Sequence, residues 1–200
     1  KQWCQSCGKT TTKALIANIL QQAGNTLSTE GNLNNEIGLP LTILKLTEKQ
    51  QYAILELGAN HPGEICYLTQ IAKPTVSLIT NAGAAHLEGF GSIEGVARAK
   101  SEIYAGLDET GIAILNADDV YADFWKTVIK HRKTITFSLC NPADVYAKSI
   151  FVEPNGNSRF ILVTPVGEMP IKLPLAGRHQ VANAIAAAAA CFAVGISLQN

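Results

Sequence analysis

The sequence predicts an α/β fold, a mostly parallel sheet flanked by helices with a small antiparallel β meander appended to it. Three observations carry this. Over the first two-thirds of the chain, apolar runs suited to buried strands alternate with segments of helical spacing, the pattern of right-handed βαβ units. From about residue 144 onward, short strand-like runs are separated instead by Pro-, Gly- and Asn-containing turns, which is hairpin chemistry. The 200 residues are 47% hydrophobic and 16% charged, a balance that supplies one domain with a sizeable core and argues against disorder.

Taken in order, residues 9–23 have helical spacing and stop at Gly24-Asn25, where glycine suits a helix C-terminus. Residues 52–57, Tyr-Ala-Ile-Leu-Glu-Leu, form an apolar run short enough for a buried strand, and residues 75–80 form another. Between them, residues 63–72 read as a helix that ends before Lys73-Pro74. Residues 92–106 read as one helix, with Ile93, Val96, Ala97, Ile103 and Tyr104 as its apolar face. A strand at 112–115, a helix at 120–130 and a strand at 134–138 continue the alternation. The meander comprises 144–153, 159–164 and 169–173, with turns at Pro154-Asn-Gly-Asn157 and Pro165-Val-Gly167. An alanine-rich helix over 179–194 follows, its small side chains suited to close packing. No repeat or low-complexity linker interrupts the chain, so one domain over residues 1–200 is expected.

Composition excludes several classes of function. Sixteen basic residues balance sixteen acidic ones, so the basic excess with which proteins grip nucleic acid is missing. No apolar run reaches the roughly 18 residues that would span a bilayer, and no secretory h-region follows Lys1-Gln2-Trp3-Cys4. The expectation is a cytoplasmic monomer that neither enters a membrane nor binds nucleic acid. Five cysteines (Cys4, Cys7, Cys66, Cys140, Cys191) are odd in number and mostly scattered, which suits reduced thiols. Cys4 and Cys7 form a C-x-x-C that reads either as a redox or half-zinc pair or as the flank of Gly8-Lys9-Thr10. No second C-x-x-C accompanies it.

Gly8-Lys9-Thr10 at a helix start is the back half of a phosphate loop. There, backbone N–H groups receive phosphate, Lys9 neutralises its charge and the Thr10 hydroxyl ligates magnesium. The sheet would then be P-loop NTPase-like. The front half departs from the pattern, because Trp3 stands where glycine is wanted and the residues before Cys7 make a poor buried strand. Alone, the tripeptide reads equally as a nucleotide site and as an ordinary helix N-terminus. Glu56 lies at the C-terminal end of an apolar strand beside Gly58, where ligands gather in open α/β sheets. It reads as a magnesium ligand or as a strand-end charge in solvent. His86, beyond the next strand and after Asn81 and Gly83, reads as structural or catalytic; Lys100 by itself reads as a solvated surface lysine.

Taken together, these segments resemble the central ATP-binding domain of the Mur ligases. The matching residues are Ser6-Cys-Gly-Lys-Thr-Thr-Thr-Lys-Ala-Leu15, then Thr29-Glu-Gly-Asn-Leu-Asn-Asn-Glu-Ile-Gly-Leu-Pro-Leu-Thr42 and Glu56-Leu-Gly-Ala-Asn-His-Pro-Gly-Glu-Ile65. They continue with Asn81-Ala-Gly-Ala-Ala-His-Leu-Glu-Gly-Phe-Gly-Ser92, Ala99-Lys-Ser-Glu-Ile103, Leu115-Asn-Ala-Asp-Asp119 and Gly177-Arg-His-Gln-Val-Ala-Asn183. The resemblance runs in order over essentially the whole chain. The Glu56-Leu-Gly-Ala-Asn-His61 segment, where relatives typically have serines after the glutamate, is similar to the branch that adds D-alanyl-D-alanine.

The resemblance implies an ATP-dependent carbon–nitrogen ligase of peptidoglycan precursor synthesis. Its partners would be UDP-N-acetylmuramoyl tripeptide and D-alanyl-D-alanine, joined through an acyl phosphate, with ATP and Mg2+ as cofactors. It implies ATP binding by Ser6, Cys7, Gly8, Lys9, Thr10 and Thr11, with Asn183 on the adenine. Thr10, Glu56, His86 and Lys100 would surround the magnesium ions, and Lys9, His86 and Lys100 would be the catalytic groups. Lys100 matches a carbamylated lysine, in which added carbon dioxide turns a cation into an anion beside the metals. Asn34 and Asn35 would face the muramoyl substrate. Family members also carry an N-terminal UDP-binding domain and a C-terminal Rossmann-like domain outside these residues, so the 200 residues alone are expected not to catalyse ligation. Departures are Cys4 and Gln5, where the family has threonine and glycine, and Gln180, where asparagine is usual. Two other readings stay open: a different Mur ligase or folylpolyglutamate synthase, and a nucleotide-binding module without catalysis.

Overall fold

In the computed structural model, which describes residues 8–83 and 87–198, helix α1 (Lys9–Ala23) runs from Gly8 to Gly24, whose N–H donates to Leu20 O at 2.9 Å. A short strand β1 (Thr26–Ser28) and helix α2 (Gly38–Ile43) follow, neither of them anticipated from the sequence. Pro40 is tolerated in α2 because it sits in the first turn, where no intrahelical partner waits for its missing N–H. Strand β2 (Tyr52–Ile54) is half the expected length. It pairs in parallel with β1, Thr26 opposite Tyr52 and Ser28 opposite Ile54. Beyond Ile54 the chain bonds to a side chain just past β1 instead, Glu56 N–H donating to Thr29 Oγ1 at 3.0 Å.

Helix α3 (Glu64–Ala72) leads to strand β3 (Val76–Ile79), and the four-residue helix α4 (Leu87–Phe90) precedes α5 (Ile93–Ser101). Residues 92–106 are therefore not one α-helix. Ser92 caps α5, its Oγ accepting from Gly95 N–H at 3.0 Å, and residues 102–106 tighten into a 3-10 turn. Glu102 explains the change, because its carboxylate accepts from Gly63 N–H (2.8 Å) and Cys66 N–H (3.1 Å) at the start of α3, where a negative charge suits the helix end. Val96, Ala97 and Tyr104 are buried as expected, but Ile93 is exposed.

Strand β4 (Ile112–Asn116), helix α6 (Ala122–Ile129) and strand β5 (Lys133–Ser138) complete the alternating part. Strands β6 (Val145–Val152), β7 (Ser158–Thr164) and β8 (Gly167–Leu173) form the meander, and α7 (Arg178–Ala193) follows. The six strands β3 to β8 lie side by side in chain order, β3 to β6 parallel and β6 to β8 antiparallel. The meander therefore continues the main sheet, joined through Phe137 opposite Val145 and Ser138 opposite Tyr146.

Alternation along β4 divides the core. Ile114 faces α1 and α7 with Ile135, Phe137, Val145, Ile185 and Ala189. Ala113 and Leu115 face the other way, against Ala97, Tyr104, Trp125 and Ile129. Four fully or nearly fully buried alanines of α7 (Ala186, Ala187, Ala189, Ala190) allow it to lie close to α1 and the sheet.

Candidate active site

The site forms where α1 begins and the parallel strands end. Gly8 has φ 105° and ψ −11°, a left-handed conformation that side chains disfavour. A Cβ there would also lie 2.1 Å from Asn183 Oδ1, so glycine lets the start of α1 approach α7. Asn183 is buried, and its Nδ2 donates to Gln180 Oε1 at 3.0 Å. Gln180, a departure from the family pattern, thus orients the very amide expected to meet adenine.

Glu56 is the hub. Its Oε2 lies 3.1 Å from Lys13 Nζ and accepts from Thr10 Oγ1 at 3.5 Å, while Oε1 accepts from Asn34 Nδ2 at 3.1 Å. Gly58 lets Asn34 come this close, since a Cβ on it would sit 2.8 Å from Asn34 Oδ1. Its N–H also donates to Asn34 O at 2.7 Å. Lys9 Nζ reaches Leu57 O at 3.5 Å. Burial pushes the Lys9 ammonium below its ordinary pKa, opposed by the nearby Glu56 carboxylate.

The donor set fits magnesium. A hydroxyl and a carboxylate, both hard oxygens, converge at Thr10 and Glu56. Such oxygens are the donors magnesium takes from protein, one or two at a time beside water and phosphate.

Lys100 Nζ donates to Asn81 O at 2.5 Å. Both residues line, with Lys9 and Glu56, one end of a cavity of about 530 Å3 whose remainder runs between β2 and β3 and is walled by apolar residues such as Ile54 and Leu78. The segment carrying Asn81 is held from β4's end: Asn116 Nδ2 donates to Thr80 O at 2.9 Å, and Ala82 N–H donates to Asp119 Oδ2 at 2.7 Å. Asp118 ties the neighbouring loop, accepting from Ser138 Oγ and Leu139 N–H at 2.5 and 2.6 Å. Burial raises its pKa, but these bonds and those from Asn141 outweigh it and hold the carboxyl below its ordinary value.

Of the expected site residues, Gly8, Lys9, Thr10, Glu56 and Asn34 come together here, with Lys100 on the same cavity wall and Asn183 behind Gly8. Thr11 lies half-buried in the first turn of α1. Asn35 points elsewhere, its Oδ1 accepting from Gly38 N–H at 2.9 Å to cap α2. Ser6, Cys7 and His86, with Cys4 and Gln5, lie outside the described residues. Lys13 was not singled out by sequence; its signal was a spacing of four from Lys9, one helical turn on the same face.

Residues 6–191 match the family described as the Mur ligase middle domain. The chain is 51% identical over 194 residues to the UDP-N-acetylmuramoyl-tripeptide--D-alanyl-D-alanine ligase of Escherichia coli (strain K12), covering 96% of this chain and 43% of that relative. The structure of MurF from Acinetobacter baumannii superposes with a TM-score of 0.93 at 43% identity, over 97% of this chain and 42% of that one. The MurF ligase from Thermotoga maritima in complex with ADP superposes with a TM-score of 0.84 at 33% identity, over 96% and 44%. The chain thus spans about two-fifths of the length of the curated relatives it matches. It belongs to the Mur ligase family, with the middle domain over residues 6–191.

Proposed function

We propose that this chain is the ATP-binding part of a ligase that joins D-alanyl-D-alanine to UDP-N-acetylmuramoyl tripeptide. The observation that carries the reading is the meeting of Lys9, Thr10 and Glu56 at the N-terminus of α1, at the C-terminal end of parallel strands. Lys9, with the helix end, offsets the negative charge of the triphosphate while the γ-phosphoryl group passes to the tripeptide carboxylate. The amine of D-alanyl-D-alanine then attacks the acyl phosphate, and phosphate leaves as the amide forms. Thr10 and Glu56 would hold magnesium, which when bound neutralises phosphate charge and aligns the reacting oxygens. Asn34 orients Glu56 from the loop that faces the muramoyl substrate, and Asn35 shapes that loop by capping α2. Asn183 contacts adenine. Lys100, carbamylated, and His86 complete the site at a second magnesium.

The proposal extends to a cytoplasmic monomer; among the described residues no helix is long and apolar enough to cross a membrane. It also assigns UDP binding and closure over ATP to domains outside the middle domain. The test is a chimera in which this chain replaces the matching 43% of the Escherichia coli relative. Incubated with ATP, magnesium, UDP-N-acetylmuramoyl tripeptide and D-alanyl-D-alanine, it should form the pentapeptide with one ADP and one phosphate per turn. Failure of a folded, ADP-binding chimera to form pentapeptide would count against the reading.

A further inference from the structure

Lys13 has no part in the ligation described above, yet it is bonded to both sides of the site. Its ammonium lies 3.1 Å from Glu56 Oε2, with side chains only 11% and 7% exposed. It also donates to Thr29 O at 2.8 Å and to Gly31 O at 3.4 Å. Three acceptors match the three N–H donors of an ammonium. The loop these carbonyls belong to returns to the same carboxylate through Asn34 Nδ2, and Thr29 Oγ1 accepts from the Glu56 N–H. A solvated lysine has no such arrangement. Lys9, one turn earlier, reaches the Leu57 carbonyl instead.

We propose that Lys13 is a positioning residue that fastens the 29–35 loop to Glu56, so that nucleotide binding with magnesium and ordering of the substrate loop are coupled. The inference rests on the reading of Glu56 as a magnesium ligand and of the loop as facing the muramoyl substrate. Coupling between binding sites is reciprocal: a ligand that fixes Glu56 restrains the loop, and a ligand that fills the loop restrains Glu56. A merely structural salt bridge would stabilise the fold without carrying this effect.

Hydrogen exchange on the 200-residue chain tests it, read at the Leu33, Asn34 and Gly58 amides, which bond within or to the loop. In Lys13→Met these amides should exchange about tenfold or more faster without ligand, the loss of one charge-assisted bond, while Gly24 and the β4 amides keep their rates. ADP with magnesium should slow the loop amides of the unsubstituted chain more than those of Lys13→Met, in which Asn34 still joins the loop to Glu56, although that variant still binds ADP. The pair Lys13→Met with Glu56→Gln leaves no lone buried charge and should show the same fast ligand-free exchange. Slow loop exchange in either variant would overturn the tether. Slowing by magnesium and ADP to the same extent with and without Lys13 would overturn the coupling. ADP binding by the unsubstituted chain with no dependence on magnesium would overturn the reading of Glu56, a failure distinct from that of Lys13 and visible in the same titration.

Discussion

Gly8→Ala tests both the geometry of the loop and its contact with α7. Two penalties can be read from the structure. A φ of 105° lies beyond the ordinary left-handed well, which costs an alanine about 1–3 kcal/mol. The new methyl would lie 2.1 Å from Asn183 Oδ1, so Asn183 must rotate and surrender its bond to Gln180, about 0.5–1.5 kcal/mol more. Together the loss is about 2–4 kcal/mol. For a chain of this size each kcal/mol shifts the melting temperature by about 2–4 °C, so a fall of roughly 4–16 °C is expected. Urea unfolding of Gly8→Ala, Asn183→Ala and the double variant would apportion it. The double variant should be less destabilised than the sum of the singles, because Asn183→Ala removes the atom the methyl strikes. A loss below about 0.5 kcal/mol for Gly8→Ala, or strict additivity, would refute this account of how α1 meets α7.

Lys9→Met should raise the urea midpoint while abolishing ADP binding. Burial lowers the Lys9 pKa, so the folded state disfavours the charge, and Glu56 keeps Lys13 as a partner without it. In the unsubstituted chain this term makes stability rise as pH climbs toward the unfolded value of 10.5, and the variant should lose that rise. Cys191, buried in α7, has its thiol pKa pushed from 9.0 to about 12. Its unfolded form therefore releases a proton that the folded form keeps, and stability should fall as pH rises above 9. Cys191→Ala should flatten that alkaline decline; an unchanged pH profile would show that other groups cause it. In the chimeric ligase, Lys100→Ala should nearly abolish pentapeptide formation, and bicarbonate should not restore it, since no amine remains to be carbamylated. Near-normal turnover would remove Lys100 from the site.

Helix α1 was legible because a glycine stands directly after a sustained helical pattern, and β3, β4 and β5 because their apolar runs are bounded by turn residues. Strand β1 was not, since three residues carry too little pattern to exceed chance. Strand β2 stops at Ile54, short of the apolar run's end at residue 57, because burial of Glu56 arises from long-range bonds to Lys13, Asn34 and Thr29 rather than from strand pairing. Likewise, the break at Ser101 depends on Glu102 reaching α3, a contact 36 to 39 residues away in sequence. At the site, Lys9, Thr10 and Glu56 were legible from residue type at strand and helix ends. Asn34 and Asn35 looked alike in sequence, yet one turns to the carboxylate and the other caps a helix. Lys13 carried only a helical spacing, because its acceptors come from segments 16 to 43 residues away.

The central claim, that α1's N-terminus and Glu56 hold a nucleotide with its metal, is tested most directly by titrating the chain with ADP in magnesium and again in EDTA, with Glu56→Gln alongside. Binding should be about tenfold or more tighter with magnesium, about 1.4 kcal/mol, and Glu56→Gln should lose that difference. Equal affinity in both buffers, or an undiminished magnesium effect without the Glu56 carboxylate, would contradict it.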